Sequence, residues 1–145
     1  MSRPLIAAVL TLGLGACVLP EDQAPRDTAC PVIASADWTA FVNAMPGPQA
    51  RPELIVTGTV TLPSAGYAAE LRPGPTDRSA RPVQTVMLEV TPPDGPAAMV
   101  LSEIDLRLSM PALSTQPGAE SAYRGVRVLC EGSELAFIAP VETAW

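Results

Sequence analysis

Leu54-Ile55-Val56-Thr57-Gly58-Thr59-Val60-Thr61-Leu62, followed by Pro63-Ser64-Ala65-Gly66, is the stretch that decides the fold class. Leu54, Val56, Val60 and Leu62 alternate with Ile55, Thr57, Thr59 and Thr61. Successive side chains of a strand point to opposite faces, so this period of two gives one apolar face and one hydroxyl-rich face. The β-branched content suits a pleated surface, and the Pro-Ser-Ala-Gly run is turn chemistry.

The same pattern repeats towards the C-terminus. Tyr67, Ala69 and Leu71 alternate with Glu70 and Arg72; Val86, Leu88 and Val90 alternate with Thr85, Met87 and Glu89. Thr91-Pro92-Pro93-Asp94-Gly95-Pro96 turns the chain. Val100, Ile104, Leu106 and Leu108 then alternate with Glu103, Asp105 and Arg107, and a loop covers residues 111–118. Val126 and Val128 flank Arg127, Gly132-Ser133 fits a tight hairpin, and Leu135, Phe137 and Ile138 follow. Prolines fall in the connections, where a missing N–H does least harm to a ladder. Short strands at regular spacing predict an all-β fold, an antiparallel immunoglobulin-like β-sandwich of six to seven strands. The tryptophan and cysteine order does not match the antibody pattern.

One segment has a helical period. Trp38, Phe41, Val42 and Met45 follow i, i+3, i+4, i+7 spacing, with Ser35 at an N-cap position and Asp37 in the first turn. Pro46-Gly47-Pro48 would end it. The expectation is one short N-terminal helix over residues 35–45. Its Trp38/Phe41 stripe either docks on the sheet or meets a partner.

Composition removes several classes of chemistry. All nine basic residues are Arg, with no Lys and no His, and the formal charge is −6. Without His there is no Ser-His-Asp triad, Cys-His pair or histidine-ligated metal. Without Lys there is no Schiff base and no P-loop lysine. The acidic balance argues against general binding of nucleic-acid phosphate. Glu103 and Asp105 share one face of a strand and are the carboxylate pair available for hydrolysis. Six aromatic residues in the whole chain leave little for a sugar cleft. The acidic stretch Glu131 to Glu134 lacks EF-hand spacing. The reading is of a non-enzyme with no cofactor and no metal.

The N-terminus carries its own signal. Arg3, the apolar run from Leu5 to Leu14, and then Leu14-Gly15-Ala16-Cys17 together resemble the lipobox of bacterial lipoproteins. The run of about ten residues is too short to span a bilayer, which takes roughly 20. The resemblance implies that residues 1–16 are a signal peptide removed on processing and that Cys17 is the lipid attachment residue. It also implies residence in the Gram-negative envelope. Val18, where an Asp favours retention in the inner membrane, implies the periplasmic face of the outer membrane. The alternative is an ordinary secretory signal that leaves Cys17 as a free thiol. Arg3 is the one charged side chain in residues 1–16, so processing takes the charge from −6 to −7.

Lipidation of Cys17 would also account for an odd cysteine count, since Cys30 and Cys130 remain as one pair in an oxidising compartment. The expectation is a Cys30–Cys130 disulfide; two buried thiols or a zinc pair are the alternatives. Residues 17–29 are polar and Pro-punctuated, a lipidated tether. The twelve from Val18 to Ala29 reach at most ~40 Å. Residues 30–145 form a single β-sandwich domain.

Two surfaces are candidates for binding. Arg72, Arg78 and Arg81 stand against Asp77 alone in residues 72–82, a local positive loop suited to a phosphate, carboxylate-rich glycan or acidic partner. The other is an unprotected sheet edge that accepts an extended peptide; the sequence does not show which edge is open. The expected function is an outer-membrane-anchored, periplasmic accessory module that engages an envelope protein in a chaperone-like or inhibitor-like way. The alternative is a small-molecule or glycan module using the three arginines.

Overall fold

A computed structural model describes residues 29–113 and 121–145. The lipobox, Cys17 and nearly all of the tether lie outside the described residues. Eight strands follow one another: β1 (Ala34–Asn43), β2 (Glu53–Leu62), β3 (Ala68–Thr76), β4 (Val83–Thr91), β5 (Ser102–Pro111), β6 (Gly125–Cys130), β7 (Ser133–Ile138) and β8 (Glu142–Ala144). They form two four-stranded sheets, ordered β5-β2-β1-β8 and β3-β4-β6-β7.

Both sheets are mixed, which corrects the purely antiparallel expectation. β1 pairs with β8 in parallel, and β4 pairs with β6 in parallel. The other pairs are antiparallel. The inner faces enclose one core: Val42, Leu54, Val56 and Val60 from one sheet meet Leu71, Val86, Val126 and Val128 from the other. The arrangement is sandwich-like and all-β, with no helix among the described residues.

The expected helix over residues 35–45 is therefore a strand. β1 registers against β2 at eight positions, from Ala34↔Thr61 to Asn43↔Glu53. An isolated helix of this length is marginal in water, whereas the ladder satisfies the backbone and the Trp, Thr, Phe and Val residues favour strands. The helical spacing of Trp38, Phe41, Val42 and Met45 is coincidental. Ala40 and Val42 are buried, Phe41 lies on the opposite face, and Met45 is exposed beyond the strand. Asp37 is at a bulge between Ala36 and Thr39, with φ 55°, rather than in a helical first turn.

Cys30 and Cys130 are bonded, with Cα atoms 5.5 Å apart. The bond ties the segment entering β1 to the end of β6. The hairpin after Cys130 turns through Glu131 and Gly132, at φ 47° and 82°. Two positive φ values mark a two-residue turn that matches strand twist, one residue earlier than the Gly132-Ser133 reading. β3 runs through Pro73 and Pro75 to Thr76 because it is an edge strand, with a register shift between Pro73 and Thr76. The buried Gln84 spans that irregularity: its Nε2 donates to the carbonyls of Gly74 (2.8 Å) and Thr85 (2.7 Å), and its Oε1 accepts from Thr76.

Candidate functional site

Each sheet has two edges, and their chemistry differs. β3 carries Pro73 and Pro75, which cannot donate to an incoming strand. β5 sets Glu103, Asp105 and Arg107 along its exposed face, charges that discourage pairing. β7 is six residues long. On the remaining side, β8 pairs only with Phe41–Asn43 of β1. From Ala34 to Thr39 no strand is paired with the outer side of β1 among the described residues, although β7 of the other sheet lies close to β1. The amide of Ala44 donates to the Ala144 carbonyl at 2.8 Å, so by alternation the Ala40 main chain also faces that side.

A groove of about 460 Å³ lies there. Trp38, Ala40 and Phe41 form one wall, and Ile138, Pro140 and Thr143 form the other. The chain crosses between the sheets at Pro140, so the groove opens on the flank of the sandwich. Trp38 sits at its base because residue 58 is glycine. A Cβ at Gly58 would fall 2.2 to 2.6 Å from three carbons of the indole ring. The indole thus takes the space of the missing side chain on the facing strand. Trp38 Nε1 and Thr143 Oγ1 are enclosed without a protein hydrogen-bond partner among the described residues. Enclosed polar atoms are nearly always paired, with protein or with ordered water. Both belong to residues that line this groove.

The other candidates do not assemble in this way. Arg72 is on β3 itself; its Nε meets Glu89 at 2.6 Å and its Nη2 meets Glu70 at 3.2 Å. The bond to Glu89, and then the charges of Glu70 and Glu89, hold its guanidinium pKa above the ordinary value. Arg78 and Arg81 are in the β3–β4 loop, where Arg81 Nη2 reaches the Tyr123 carbonyl at 3.5 Å. Asp77 organises that loop, accepting from the Ser79 hydroxyl (2.6 Å), the Ser79 amide (3.0 Å) and the Val83 amide (3.1 Å). These bonds, the Ser79 hydroxyl foremost, hold its carboxyl below the ordinary range. Glu103 and Asp105 are both exposed on β5, and Asp105 accepts from the Thr59 hydroxyl at 3.0 Å. Of the two residues read as a stripe, Trp38 and Phe41, both line the groove, from opposite faces of a strand.

Among the described residues, no group of three or more His, Cys, Asp or Glu side chains is placed to hold a metal ion. No helix among them is long and apolar enough to cross a membrane. Comparison with protein-family models, with curated proteins and with solved structures found no match to this chain.

Proposed function

We propose that this chain is a lipid-anchored, non-enzymatic binding module of the outer membrane's periplasmic face, and that it holds an extended segment of an envelope protein along the uncovered edge of β1. The observation that carries the proposal is the groove between β1 and the 138–143 crossover. It combines a strand edge unpaired among the described residues, apolar walls and two enclosed polar atoms that no described residue pairs. Strand addition uses these parts: main-chain hydrogen bonds supply affinity, and pockets for alternate side chains supply specificity. The lipobox resemblance at Cys17 supports the location. The three-arginine reading has less support, because Arg72 is already engaged by two carboxylates on another strand. An immunoglobulin-like arrangement of the sandwich is part of the proposal, and it has to accommodate the parallel β1–β8 and β4–β6 pairs.

A photo-crosslinking side chain at Thr39, on the groove wall, tests the binding in intact envelopes. The expected result is capture of one envelope protein through an extended segment, with slowed amide exchange over residues 38–40 in the complex. Capture without that slowing, or no capture beyond a Glu103 control on β5, would refute strand addition at this edge.

A further inference from the structure

Four of the nine large apolar side chains exposed among the described residues lie at one end of the domain, and three of them are consecutive. β2 ends at Leu62, β3 begins at Ala68, β4 ends at Thr91, β5 begins at Ser102 and β6 ends at Cys130; the pairings Leu62↔Ser102, Ala68↔Thr91 and Leu88↔Cys130 put all of these at one end. β1 begins there too, with Ala34 opposite Thr61. At this end Met99 is 87 % exposed, Val100 62 %, Leu101 62 % and Ile33 56 %. Single exposed apolar residues are ordinary, but a contiguous run is not.

The run is held out on a built platform. The Ala98 carbonyl accepts from the Ala65 amide at 3.1 Å and from the Val100 amide at 2.8 Å, and Pro93 lies against Gly66. Residues 95–102 carry no charge. Among the described residues, Arg51, Arg78, Arg81 and Arg124 are all in connections at the opposite end. The polypeptide also enters the domain at the apolar end, where Cys30 is bonded to Cys130. Cys17 lies thirteen residues before Cys30.

We propose that Met99, Val100 and Leu101, with Ile33 at the same end, form a lipid-contacting tip that sets this end of the domain into the membrane interface. The inference rests on the anchoring read from Cys17, and it adds an orientation to it. The occupant is a lipid surface because the patch is at the end that the tether leads to, and because a tether of this length keeps that end near the bilayer. Side chains of this kind enter the headgroup and acyl boundary to a depth of ~5–10 Å. The contact is apolar rather than electrostatic: Asp94, Glu103, Glu131 and the Glu70/Glu89 pair, to which Arg72 is bonded, give the described residues near this end a net negative charge, and an anionic surface would favour the arginine-bearing end. In that pose the β1 groove opens sideways along the membrane.

The test uses the full lipidated chain in phosphatidylcholine vesicles, with and without brominated acyl chains. Leu101→Trp and Val100→Trp place a reporter in the tip, and Met45→Trp places one at the opposite end, each read as the difference from the wild-type chain, whose Trp38 and Trp145 set the baseline. Expected is bromine quenching several-fold greater at positions 100 and 101 than at 45, unchanged by added salt. Equal quenching at all three positions overturns the proposal. So does a blue shift at Leu101→Trp that grows with protein concentration and ignores bromine, since a second copy then covers the patch. Flotation of the wild-type chain beside Cys17→Ser, in the same vesicles, tests the anchor separately. Loss of the anchor reading shows there as equal flotation, whatever the quenching gives.

Discussion

Gly58→Ala should unfold this domain more easily, and should stop doing so once Trp38 is removed. The added Cβ would meet the indole at 2.2, 2.5 and 2.6 Å. Carbon contacts settle near 3.5–4.0 Å, so the ring must move by about 1 Å or more. Overpacking of this kind costs ~1–3 kcal/mol. The alternative is for the ring to swing out through the groove, forfeiting its burial. Full Trp→Ala truncation costs ~3–5 kcal/mol for a core residue, and Trp38 is only partly buried, so that escape costs about half as much. Against either stands a gain of ~0.5–1 kcal/mol for replacing a strand glycine. The net expectation is a loss of about 1–2 kcal/mol. In a Trp38→Ala background the clash is gone and the glycine term alone remains, so Gly58→Ala should stabilise by ~0.5 kcal/mol. Urea unfolding of the four chains of this double-mutant cycle, each carrying Cys17→Ser, measures both values. An equal cost of Gly58→Ala in both backgrounds would show that Trp38 does not occupy the space above Gly58, and would remove the base of the groove.

Three further changes test other parts of the molecule. Cys30→Ala with Cys130→Ala opens a loop closed over a sequence separation of 100, and should lower the unfolding free energy by up to ~4.7 kcal/mol in urea. An unchanged midpoint would argue that the N-terminal segment does not depend on the bond. Gln84→Leu leaves the Gly74 carbonyl and the Thr76 hydroxyl without their buried partner, with an expected loss of ~1–3 kcal/mol in the same assay. Asp77 has a depressed folded pKa, so its contribution is present above the unfolded value of 3.8 and is lost as pH falls through the folded value. Asp77→Asn should therefore raise amide exchange at Ser79 and Val83 at neutral pH, and the difference from wild type should vanish in acid. A difference independent of pH would mean that the carboxylate charge is not what holds the loop.

Most of the sheet was legible in the sequence, because alternation and Pro/Gly punctuation agree from residue 54 to residue 138. The failures have physical causes. In β1, Trp38, Phe41, Val42 and Met45 match a helical stripe by chance, and nothing local shows that β2 offers eight registered partners. Pro73 and Pro75 read as a stop because the sequence does not reveal that β3 is an edge strand. β8 is three residues long and exists through its contact with β1. The disulfide followed from counting cysteines. The groove did not, because its walls come from residues 38–41 and 138–144, about a hundred positions apart. Gly58, isolated inside a strand pattern, was the one available signal: such a glycine marks a close approach by something else. The arginines misled for the converse reason, since Arg72 is near Arg78 in sequence but is paired across β3 and β4.

The disulfide connects the two proposed surfaces. Cys30 and Val32 pack against the core, and the Ile33 amide donates to the Thr61 carbonyl at 2.9 Å. The chain is therefore fixed to the body before β1 starts, and any pull from a membrane anchor reaches the end of β6 through Cys130. It bypasses the first residues of β1, where the Asp37 bulge interrupts the ladder with β2. This matters because the uncovered edge proposed to hold a partner begins on those residues. Without the bond, tension on the tether would peel β1 from its N-terminal end and open the groove from its weakest part. With the bond, the same tension is carried by β6, which is paired on both sides by β4 and β7. If the chain is the anchored binding module proposed above, its docking edge has to be isolated from its anchor, and Cys30–Cys130 sits where it would provide that isolation.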